Sequence, residues 1–292
     1  MDLSVVVITY QSRAHILECL RSLESAVRKP DGPPLAWECL VVDNDSSDGG
    51  PELVERDAAW ARVLRTGGNL GYAKAVNRGL AATSGRHVLV SNPDCVWDTG
   101  SIATLAGWLD SHPRCGIAAP RIHNTDGSLE YSARSYPTPF AFLFNRYSLL
   151  SRLMPRNPWT RRYLLLDWDH ESPRGVDWVS GAAMLARREA VTKVGGMDEA
   201  FFMFNEDVDW CRRMKLAGWA NVCVPDARVL HHIGVSKGRV APHLIVERHR
   251  GMIHYFHKHH PTNPVLAALT DALILARAGV MLVGNAFKPA PR

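Results

Sequence analysis

The sequence ECLVVDNDSSDGGPELV, residues 38–54, passes from a strand pattern through a turn to the start of a helix. Its first part, residues 38–42, is rich in apolar and β-branched residues, which is typical of a buried strand. The polar run 43–50 consists of turn-forming residues, and Pro51 suits the first position of a helix. A strand that ends in a polar tip and leads into a helix is the repeating unit of an α/β fold.

The same unit recurs on both sides of this stretch. Residues 4–9 form a β-branched run, and Ser12 is a candidate N-cap for a helix with apolar residues at helical spacing. A short strand at 63–64, a small-residue helix at 73–82 and a strand at 87–91 follow. Strands alternating with helices predict a mostly parallel, Rossmann-like sheet flanked by helices.

Polar residues stand at the ends of three of these strands. They are Thr9 and Tyr10, Asp43 and Asn44, and Asn92, Pro93 and Asp94. In mostly parallel sheets, ligands bind beyond the carboxyl ends of the strands. We therefore expect the three clusters to meet at one edge of the sheet and to form a site.

The composition is that of a globular protein, with 292 residues, 46% of them hydrophobic and 22% charged. The six cysteines form no CxxC pair, which favours a reducing compartment over a zinc knuckle or a disulfide framework. Residues 1–8 lack the pattern of a secretory signal, so we expect a cytoplasmic protein. The net charge of +5 favours anionic partners such as phosphates, nucleotides or acidic lipid headgroups, without choosing among them. Basic residues within 146–162 and 239–260 suggest contact with a membrane surface, or else a solvated basic face.

The second half of the chain is less regular. Residues 131–174 are rich in Pro, Arg and aromatic residues and indicate a long excursion that could cover a site. A strand-like run at 176–185 and a helix at 187–194 restore the pattern. Short strands are predicted at 222–224 and 228–230.

The C-terminal stretch 265–283 is apolar but contains Asp271 and Arg277, which argues against a helix that spans a bilayer. An amphipathic helix fits better, either packed on the domain or lying at a membrane surface. We expect a catalytic domain over residues 1–225 and a helical C-terminal extension over 226–292.

Six segments together resemble family 2 glycosyltransferases with the GT-A fold, particularly the rhamnosyltransferase-like branch. The resemblance covers roughly residues 3–260, in order and at the family's spacing, and no single motif would suffice alone. The segments are SVVVITYQS (4–12), VVDNDSSDG (41–49), GGNLGYAKAVNRGL (67–80), VLVSNPDCV (88–96), GGMDEAFFMFNEDVDWCRRMKLAGW (195–219) and an HxxGxS motif formed by His231, Gly234 and Ser236.

The resemblance implies that the first motifs bind a nucleotide sugar. Asp43 would accept the imide N–H of a uracil or thymine ring, with Thr9 and Tyr10 beside the base or ribose. Asn69 and Lys74, in the glycine-rich segment, would approach the donor and its phosphates. As residues alone, an Asp after a strand is also an ordinary turn former, and a Tyr at a strand end also serves in packing.

Asn92 and Asp94 occupy the place of the family's Asp-x-Asp motif, in which carboxylates hold a divalent cation against the donor diphosphate. Because Asn92 replaces the first Asp, Asp94 is the certain carboxylate, and an Asn-Pro turn is the alternative interpretation. The resemblance implies Mg²⁺ or Mn²⁺ as cofactor, with His231 as a further ligand. His232 is a rival for that position because adjacent strand residues point to opposite faces.

Asp207 resembles the family's catalytic base, which would deprotonate the acceptor hydroxyl. Glu206 would contact the acceptor or order the start of the helix, and Trp178 and Gly181 would line the sugar and acceptor side. Two other interpretations stay open: the acids favour a helix N-terminus in any protein, and Trp178 is a candidate core residue.

Together these features predict an inverting, metal-dependent glycosyltransferase of cell-envelope polysaccharide synthesis. It would move rhamnose, or another deoxyhexose or hexose, from a dTDP- or UDP-linked donor to a carbohydrate or polyprenyl-linked saccharide. We expect no nucleic-acid partner, and peripheral contact with the inner face of the plasma membrane. One alternative is a non-catalytic nucleotide-sugar or carbohydrate-binding protein of the same fold. The other is a sugar nucleotidyltransferase, which should carry a Gly-rich, Arg-containing loop after the first strand that residues 11–14 do not supply.

Overall fold

The computed structural model describes residues 1–29, 35–138, 157–232 and 239–289. The strands of this part are β1 (Leu3–Thr9), β2 (Trp37–Asp43), β3 (Arg62–Arg65), β4 (His87–Ser91), β5 (Cys95–Trp97), β6 (Cys115–Asn124), β7 (Leu129–Glu130), β8 (Ala133–Arg134), β9 (Arg174–Val176), β10 (Trp178–Val179), β11 (Ala183–Arg187) and β12 (Ala220–His231). The helices are α1 (Ile16–Ala26), α2 (Gly50–Asp57), α3 (Tyr72–Ala81), α4 (Ser101–Ser111), α5 (Pro158–Tyr163), α6 (Arg188–Val194), α7 (Glu206–Leu216), α8 (Pro242–His259) and α9 (Pro264–Ala286).

The central sheet has the strand order β3-β2-β1-β4-β11-β6-β12-β5, with β7 beside β6 and β9 beside β12. Its first four strands are parallel, and so is the β6–β12 pair, whereas β11 runs antiparallel between β4 and β6. The predicted α/β class is confirmed: this is a GT-A arrangement with a mostly parallel central sheet, flanking helices and C-terminal helices.

Strand β1 is buried over its whole length, which explains its continuous apolar sequence. Val5 and Val7 pack in the layer that contains α1, α2 and α4, and Val6 and Ile8 pack in the opposite layer with α3 and α7. The sheet therefore has a hydrophobic core on both faces, and its edges and strand ends are left for function.

The carboxyl ends of the parallel strands lie side by side, as predicted. Thr9 pairs with Asp43, and Asp43 pairs in turn with Arg65 at the end of β3. One local prediction was wrong: α1 begins at Ile16 without a side-chain cap, because the Ser12 hydroxyl donates instead to the carbonyl of Tyr10.

The two short strands predicted at 222–224 and 228–230 are one strand, β12. A shift in its pairing with β6 between Val224 and Arg228 interrupts the alternation, which is why the sequence pattern breaks there. The expected division of the chain at residue 225 falls inside this strand, and the division itself stays a prediction.

Helix α8 is joined to α7 by a buried ion cluster around Asp209, which is 0% exposed. Its carboxylate contacts Arg213 of the same helix at 2.8 Å, and Lys258 and His259 of α8 at 2.8 and 2.6 Å. Asp209 thus connects α8 to the domain through α7.

Helix α9 has an inverted distribution of polar and apolar side chains. Its polar side chains make contacts within the protein: Asp271 with His257 at 2.9 Å, Arg277 with His249 at 3.1 Å, Asn285 with the carbonyl of Val240 at 2.6 Å, and Thr270 with its own helix. The outer face is apolar, and between 51% and 73% of each of these residues is exposed: Val265, Leu266, Leu269, Leu273, Leu275, Val280 and Val283. By length and composition alone, this helix is able to cross a membrane.

We predict that Asp209→Asn lowers the free energy of unfolding by about 2–3 kcal/mol, somewhat less than a fully buried pair would lose, because Lys258 and Arg213 are partly exposed. Burial opposes ionisation of Asp209, but hydrogen bonds from Lys258, Arg213 and His259 outweigh it and lower its pKa. Its contribution is therefore present above the unfolded pKa of about 3.9 and is lost as the pH falls below that value.

Urea denaturation at pH 7 and pH 3.5 checks this prediction. The variant should lose stability at pH 7 and show a weaker acid dependence than the wild type. Glu189→Gln, which removes an exposed i,i+4 pair with Lys193, serves as the control and should leave the midpoint unchanged. Equal midpoints for wild type and Asp209→Asn would contradict the assignment.

Candidate active site

A cavity of about 890 Å³ opens beyond the carboxyl ends of the strands. Its wall on the sheet side is formed by Tyr10, Asn92 and Asp94, and the loop before α7 forms another wall. Arg248 of α8 and Arg277 of α9 complete the lining. The domain and its C-terminal helices therefore build one shared site.

Most of the predicted site residues line this cavity. They are Tyr10, Asn69, Asn92, Asp94, Trp178, Gly181, Glu206, Asp207 and His231. Thr9, Asp43 and Lys74 are not among the lining residues, and Lys74 is exposed on α3. The carboxylate of Asp43 accepts from the backbone N–H of Ser46 at 3.2 and 3.3 Å, as a turn former does. The roles assigned to these three residues stay predictions.

Asn44 organises the glycine-rich loop on the sheet side of the cavity. Its amide nitrogen donates to Asn69 Oδ1 at 3.0 Å and to the Gly71 carbonyl at 3.3 Å, and its oxygen accepts from the Leu70 N–H at 2.9 Å. Gly71 has φ +83°, and a Cβ there would lie 2.5 Å from the Phe202 carbonyl. Only glycine allows the two loops to approach so closely.

The loop before α7 holds its acidic residues in a strained backbone. Phe204 and Asn205 both have left-handed φ values, +70° and +72°, which non-glycine residues adopt at a cost of about 1–3 kcal/mol. Gly251 of α8 lets that helix press on this loop, since a Cβ there would lie 2.8 Å from the Phe204 carbonyl. Strain that packing sustains beside a cavity is a mark of a functional site.

Both oxygens of Asp207 are oriented by backbone groups. Oδ2 accepts from the Gly181 N–H at 3.0 Å, and Oδ1 accepts from the Val208 N–H at 2.8 Å. The buried hydroxyl of Tyr72 donates to the Gly181 carbonyl at 2.7 Å and thereby fixes that peptide. Asp207 is consequently held in one orientation at the cavity wall, as a general base requires.

Glu206 and Asp207 differ in their electrostatic environment. Burial raises the pKa of Glu206 well above its ordinary value, the charge of Asp207 adds to the rise, and Glu206 Oε2 has no hydrogen bond among the described residues. Burial also raises the pKa of Asp207, but the N–H groups of Gly181 and Val208 oppose that rise. The pKa of Asp207 is therefore raised less than that of Glu206, which favours Asp207 as the group of the pair that accepts a proton.

The predicted metal ligands meet at the end of β12. Asp94 Oδ1 lies 3.2 Å from His231 Nε2 and, although buried, makes no other hydrogen bond among the described residues. Burial alone would lower the pKa of His231, but hydrogen bonds to Asp94 and Glu130 outweigh it and raise the pKa to about 9. The sequence left His231 and His232 as rivals. The ring of His232 stacks on His15 at 5.4 Å and lies 3.7 Å from Glu18.

These residues fit a divalent cation. Asp94 Oδ1 has a lone pair available beside the imidazole of His231, and a carboxylate oxygen next to an imidazole suits Mn²⁺ or Mg²⁺. Glu130 Oε2 lies 2.9 Å from His231 Nδ1, so a cation on Nε2 would find its ligand ring oriented by a carboxylate, a common arrangement in metal sites. Gly234 and Ser236 of the HxxGxS motif lie outside the described residues.

Trp178 lines the cavity with its indole held by a hydrogen bond from Nε1 to the Ser135 carbonyl at 2.8 Å. The guanidinium of Arg134 lies 5.1 Å from the centre of this ring and stabilises the Asp207 carboxylate electrostatically. Sequence reasoning missed Arg134, Tyr72 and Glu130. Their roles depend on pairings between distant segments, which local patterns do not reveal.

Comparison with known proteins agrees with this geometry. A family model described as Glycosyl transferase family 2 matches residues 4–172. The chain is 40% identical over 254 residues to N-acetylglucosaminyl-diphospho-decaprenol L-rhamnosyltransferase of Mycobacterium tuberculosis, which covers 83% of this chain and 80% of the relative. It is 27% identical to rhamnosyltransferase WbbL of Escherichia coli, over 50% of this chain and 52% of that protein.

A solved structure shares the fold at low sequence identity. It is the mannosyltransferase PcManGT from Pyrobaculum calidifontis, in complex with GDP-Man and Mn²⁺. The TM-score is 0.59 at 18% identity, with 98% of this chain and 79% of the other covered.

We predict that the chain binds Mn²⁺ through Asp94 and His231, with Glu130 as support. In isothermal titration with Mn²⁺ and a nucleoside diphosphate, Asp94→Asn should weaken metal binding at least tenfold. Glu130→Gln should weaken it by roughly 10- to 100-fold, because the ligand ring loses its oriented partner. Asp98→Asn, at an exposed carboxylate just after β5, is the matched control. If Asp94→Asn bound Mn²⁺ as tightly as the wild type, the assignment of the metal site to Asp94 and His231 would be wrong.

Proposed function

The chain belongs to glycosyl transferase family 2, and on that premise we propose that it is an inverting, metal-dependent enzyme of cell-envelope polysaccharide synthesis. The donor is a nucleoside-diphosphate sugar, with dTDP- or UDP-rhamnose favoured. The acceptor is N-acetylglucosamine on a polyprenyl diphosphate, the acceptor class that the name of the mycobacterial relative describes. The single observation that carries this proposal is Asp207, a carboxylate oriented by two N–H groups in a cavity that also holds Asp94 and His231.

The donor occupies the sheet side of the cavity. Tyr10, Asn69 and Asn92 line that side and contact the nucleotide, and the diphosphate lies toward Asp94 and His231. Asp94 and His231 would hold a divalent cation there, whose positive charge would neutralise the leaving diphosphate. The polar strand ends supply directional contacts, and Asn44 keeps the glycine-rich loop in place against the donor.

The acceptor occupies the side lined by Trp178 and Gly181. The indole of Trp178, although only 6% exposed, gives this side of the cavity an apolar wall for the sugar. Glu206 also lines the cavity and hydrogen-bonds a sugar hydroxyl. The acceptor hydroxyl thereby points at the oxygen of Asp207.

Transfer is a single displacement. The acceptor oxygen attacks C1 of the donor sugar while its proton passes to Asp207, and the bond between C1 and the phosphate oxygen breaks. One new glycosidic bond forms, the nucleoside diphosphate leaves with the electron pair, and the configuration at C1 inverts. The positive charge of Arg134 lowers the pKa of Asp207 and so partly opposes the rise caused by burial.

The inverted helix α9 supports peripheral attachment to a membrane. Its apolar face is exposed while its polar side chains contact the protein, which is the reverse of the arrangement that water favours. Exposed basic residues such as Arg239 and Lys288 belong to the same C-terminal region and suit anionic headgroups. A bilayer is therefore the occupant of this face that we propose.

The cysteines support a cytoplasmic side of the membrane for this enzyme. All six are free and buried in the structure, which supports a reducing, cytoplasmic compartment. The enzyme would then act at the inner face of the plasma membrane, where a polyprenyl-linked acceptor and a soluble nucleotide sugar meet.

We predict that Asp207→Asn lowers kcat by roughly 10²- to 10⁴-fold, because the attacking hydroxyl loses its base. Release of nucleoside diphosphate with the lipid-linked acceptor measures turnover, and donor binding by calorimetry should stay within a few fold of the wild type. Asp226→Asn, at an exposed carboxylate of β12, is the control. Turnover within a few fold of wild type in Asp207→Asn would refute the base assignment. Donor binding without any transfer by the wild type would favour a non-catalytic binding protein.

We predict that Leu269→Glu combined with Leu273→Glu prevents binding to vesicles of phosphatidylglycerol and phosphatidylcholine. These leucines are 57% and 56% exposed, and burying each in a bilayer contributes about 1.5–3 kcal/mol, so losing both should reduce partitioning more than 100-fold. Flotation on a density gradient measures the effect. Leu216→Glu, at a leucine 76% exposed on α7, should float like the wild type. A wild type that stays unbound and elutes as a dimer would show that a second copy covers α9.

A further inference from the structure

Arg277 is the only Lys or Arg in α9, and it contributes to the cavity lining. The helix thus presents an apolar outer face and a single cation inside, directed at the site where transfer would occur. Arg277 is partly buried, and a cation that is partly removed from water has a desolvation cost unless a partner compensates its charge. The contacts of Arg277 therefore show whether the protein itself compensates this charge or leaves it for a ligand.

The contacts of Arg277 leave its charge uncompensated. Nη1 lies 3.1 Å from His249 Nε2 and 3.6 Å from Met252 Sδ. His249 Nδ1 lies 2.6 Å from the Ile245 carbonyl, to which it donates, so Nε2 is a neutral acceptor. Among the described residues, no carboxylate lies within ion-pair distance of the Arg277 guanidinium.

A second arginine reinforces this charge. Arg248 lines the same cavity, and its guanidinium lies 4.1 Å from the centre of the Phe204 ring. Burial, and then the positive charge of Arg248, lower the pKa of Arg277. Arg277 therefore lies beside a second positive charge in the cavity, and an anion with several oxygens would compensate the charge of Arg277.

We propose that Arg277, together with Arg248, binds the diphosphate of the lipid-linked acceptor as it enters the cavity from the membrane. This inference rests on the proposed function, because it assumes a polyprenyl diphosphate acceptor. The donor also carries a diphosphate, but Asp94 and His231 lie at the sheet side, on different elements from α8 and α9. Arg277 instead belongs to the helix whose outer face we assign to the bilayer. A polyprenyl diphosphate has its chain in the bilayer and its phosphates at the membrane surface. If α9 lies on that surface, its protein-facing side, which carries Arg277, lies at the level of the phosphates.

Direct binding tests the site without requiring turnover. Farnesyl diphosphate serves as a soluble probe of the lipid diphosphate, and farnesol controls for the chain alone; isothermal titration measures both. Arg277→Gln should weaken binding of farnesyl diphosphate by roughly 10- to 100-fold, as expected for losing a charge-assisted contact, and should leave farnesol binding unchanged. Arg277→Lys should fall between wild type and Arg277→Gln. Arg250→Gln, on the exposed side of α8, should bind the probe like the wild type.

Kinetics then separate the two diphosphates. With the lipid-linked acceptor, Arg277→Gln should raise the acceptor KM by the same factor and leave the donor KM within twofold. With an alkyl glycoside of N-acetylglucosamine, which lacks the diphosphate, the variant should equal the wild type. A rise in the donor KM would overturn the proposal in favour of the donor diphosphate. An equal loss with both acceptors, or a large fall in melting temperature, would overturn it in favour of a structural role.

The two proposals fail in different ways. Probe binding that is lost in Arg277→Gln, with no sugar transfer by the wild type, would refute the transferase function and keep the anion site. Transfer by the wild type with probe affinity unchanged in Arg277→Gln would refute the anion site and keep the function.

Discussion

The structure depends on a chain of hydrogen bonds that begins at Tyr72 and ends at Asp207. The Tyr72 N–H donates to the Phe202 carbonyl at 2.6 Å, its hydroxyl donates to the Gly181 carbonyl, and the Gly181 N–H holds Asp207. One residue at the start of α3 therefore joins the first half of the fold to the strand connection at 180–182 and to the loop before α7. These three segments are far apart in sequence, and the hydrogen bonds of the buried residues Tyr72 and Gly181 fix their positions against one another.

The elements that form this frame are those that sequence patterns describe well. Strands β1, β2 and β4 are continuous apolar runs with polar tips, because they are buried on both faces and end at the site. The family motifs extended that prediction to Asp94, Asp207 and His231, and all three line one cavity. Periodicity and turn chemistry were sufficient here because each signal is local.

The remainder could not be predicted, for identifiable physical reasons. Glu130 reaches His231 only because β7 pairs with β6 beside β12, and nothing local to Glu130 specifies that pairing. The irregularity within β12 interrupts the alternation of its side chains, so the sequence pattern predicted two short strands where the structure has one. Arg277 was recognised only as an argument against a membrane span. Its actual environment depends on how α9 packs on α8, which no pattern within either helix determines.

The distribution of charge inside the cavity gives the site a direction. Acidic groups at Asp94 and Glu130 lie with His231 on the sheet side, whereas the α8 and α9 side contributes Arg248 and Arg277. On the sheet side, an anion would need a divalent cation to offset the acidic groups. On the α8 and α9 side, the arginines themselves supply the positive charge. Two diphosphate substrates would be difficult to distinguish by size alone, since each consists of a sugar on the same linkage. Under the proposed function, opposite means of charge compensation at the two ends would discriminate between these substrates and would orient each sugar toward Asp207 between the ends. Helix α9 contributes Arg277 to the cavity and has an apolar outer face, so the same helix would both recognise the acceptor and attach the protein to the acceptor's membrane.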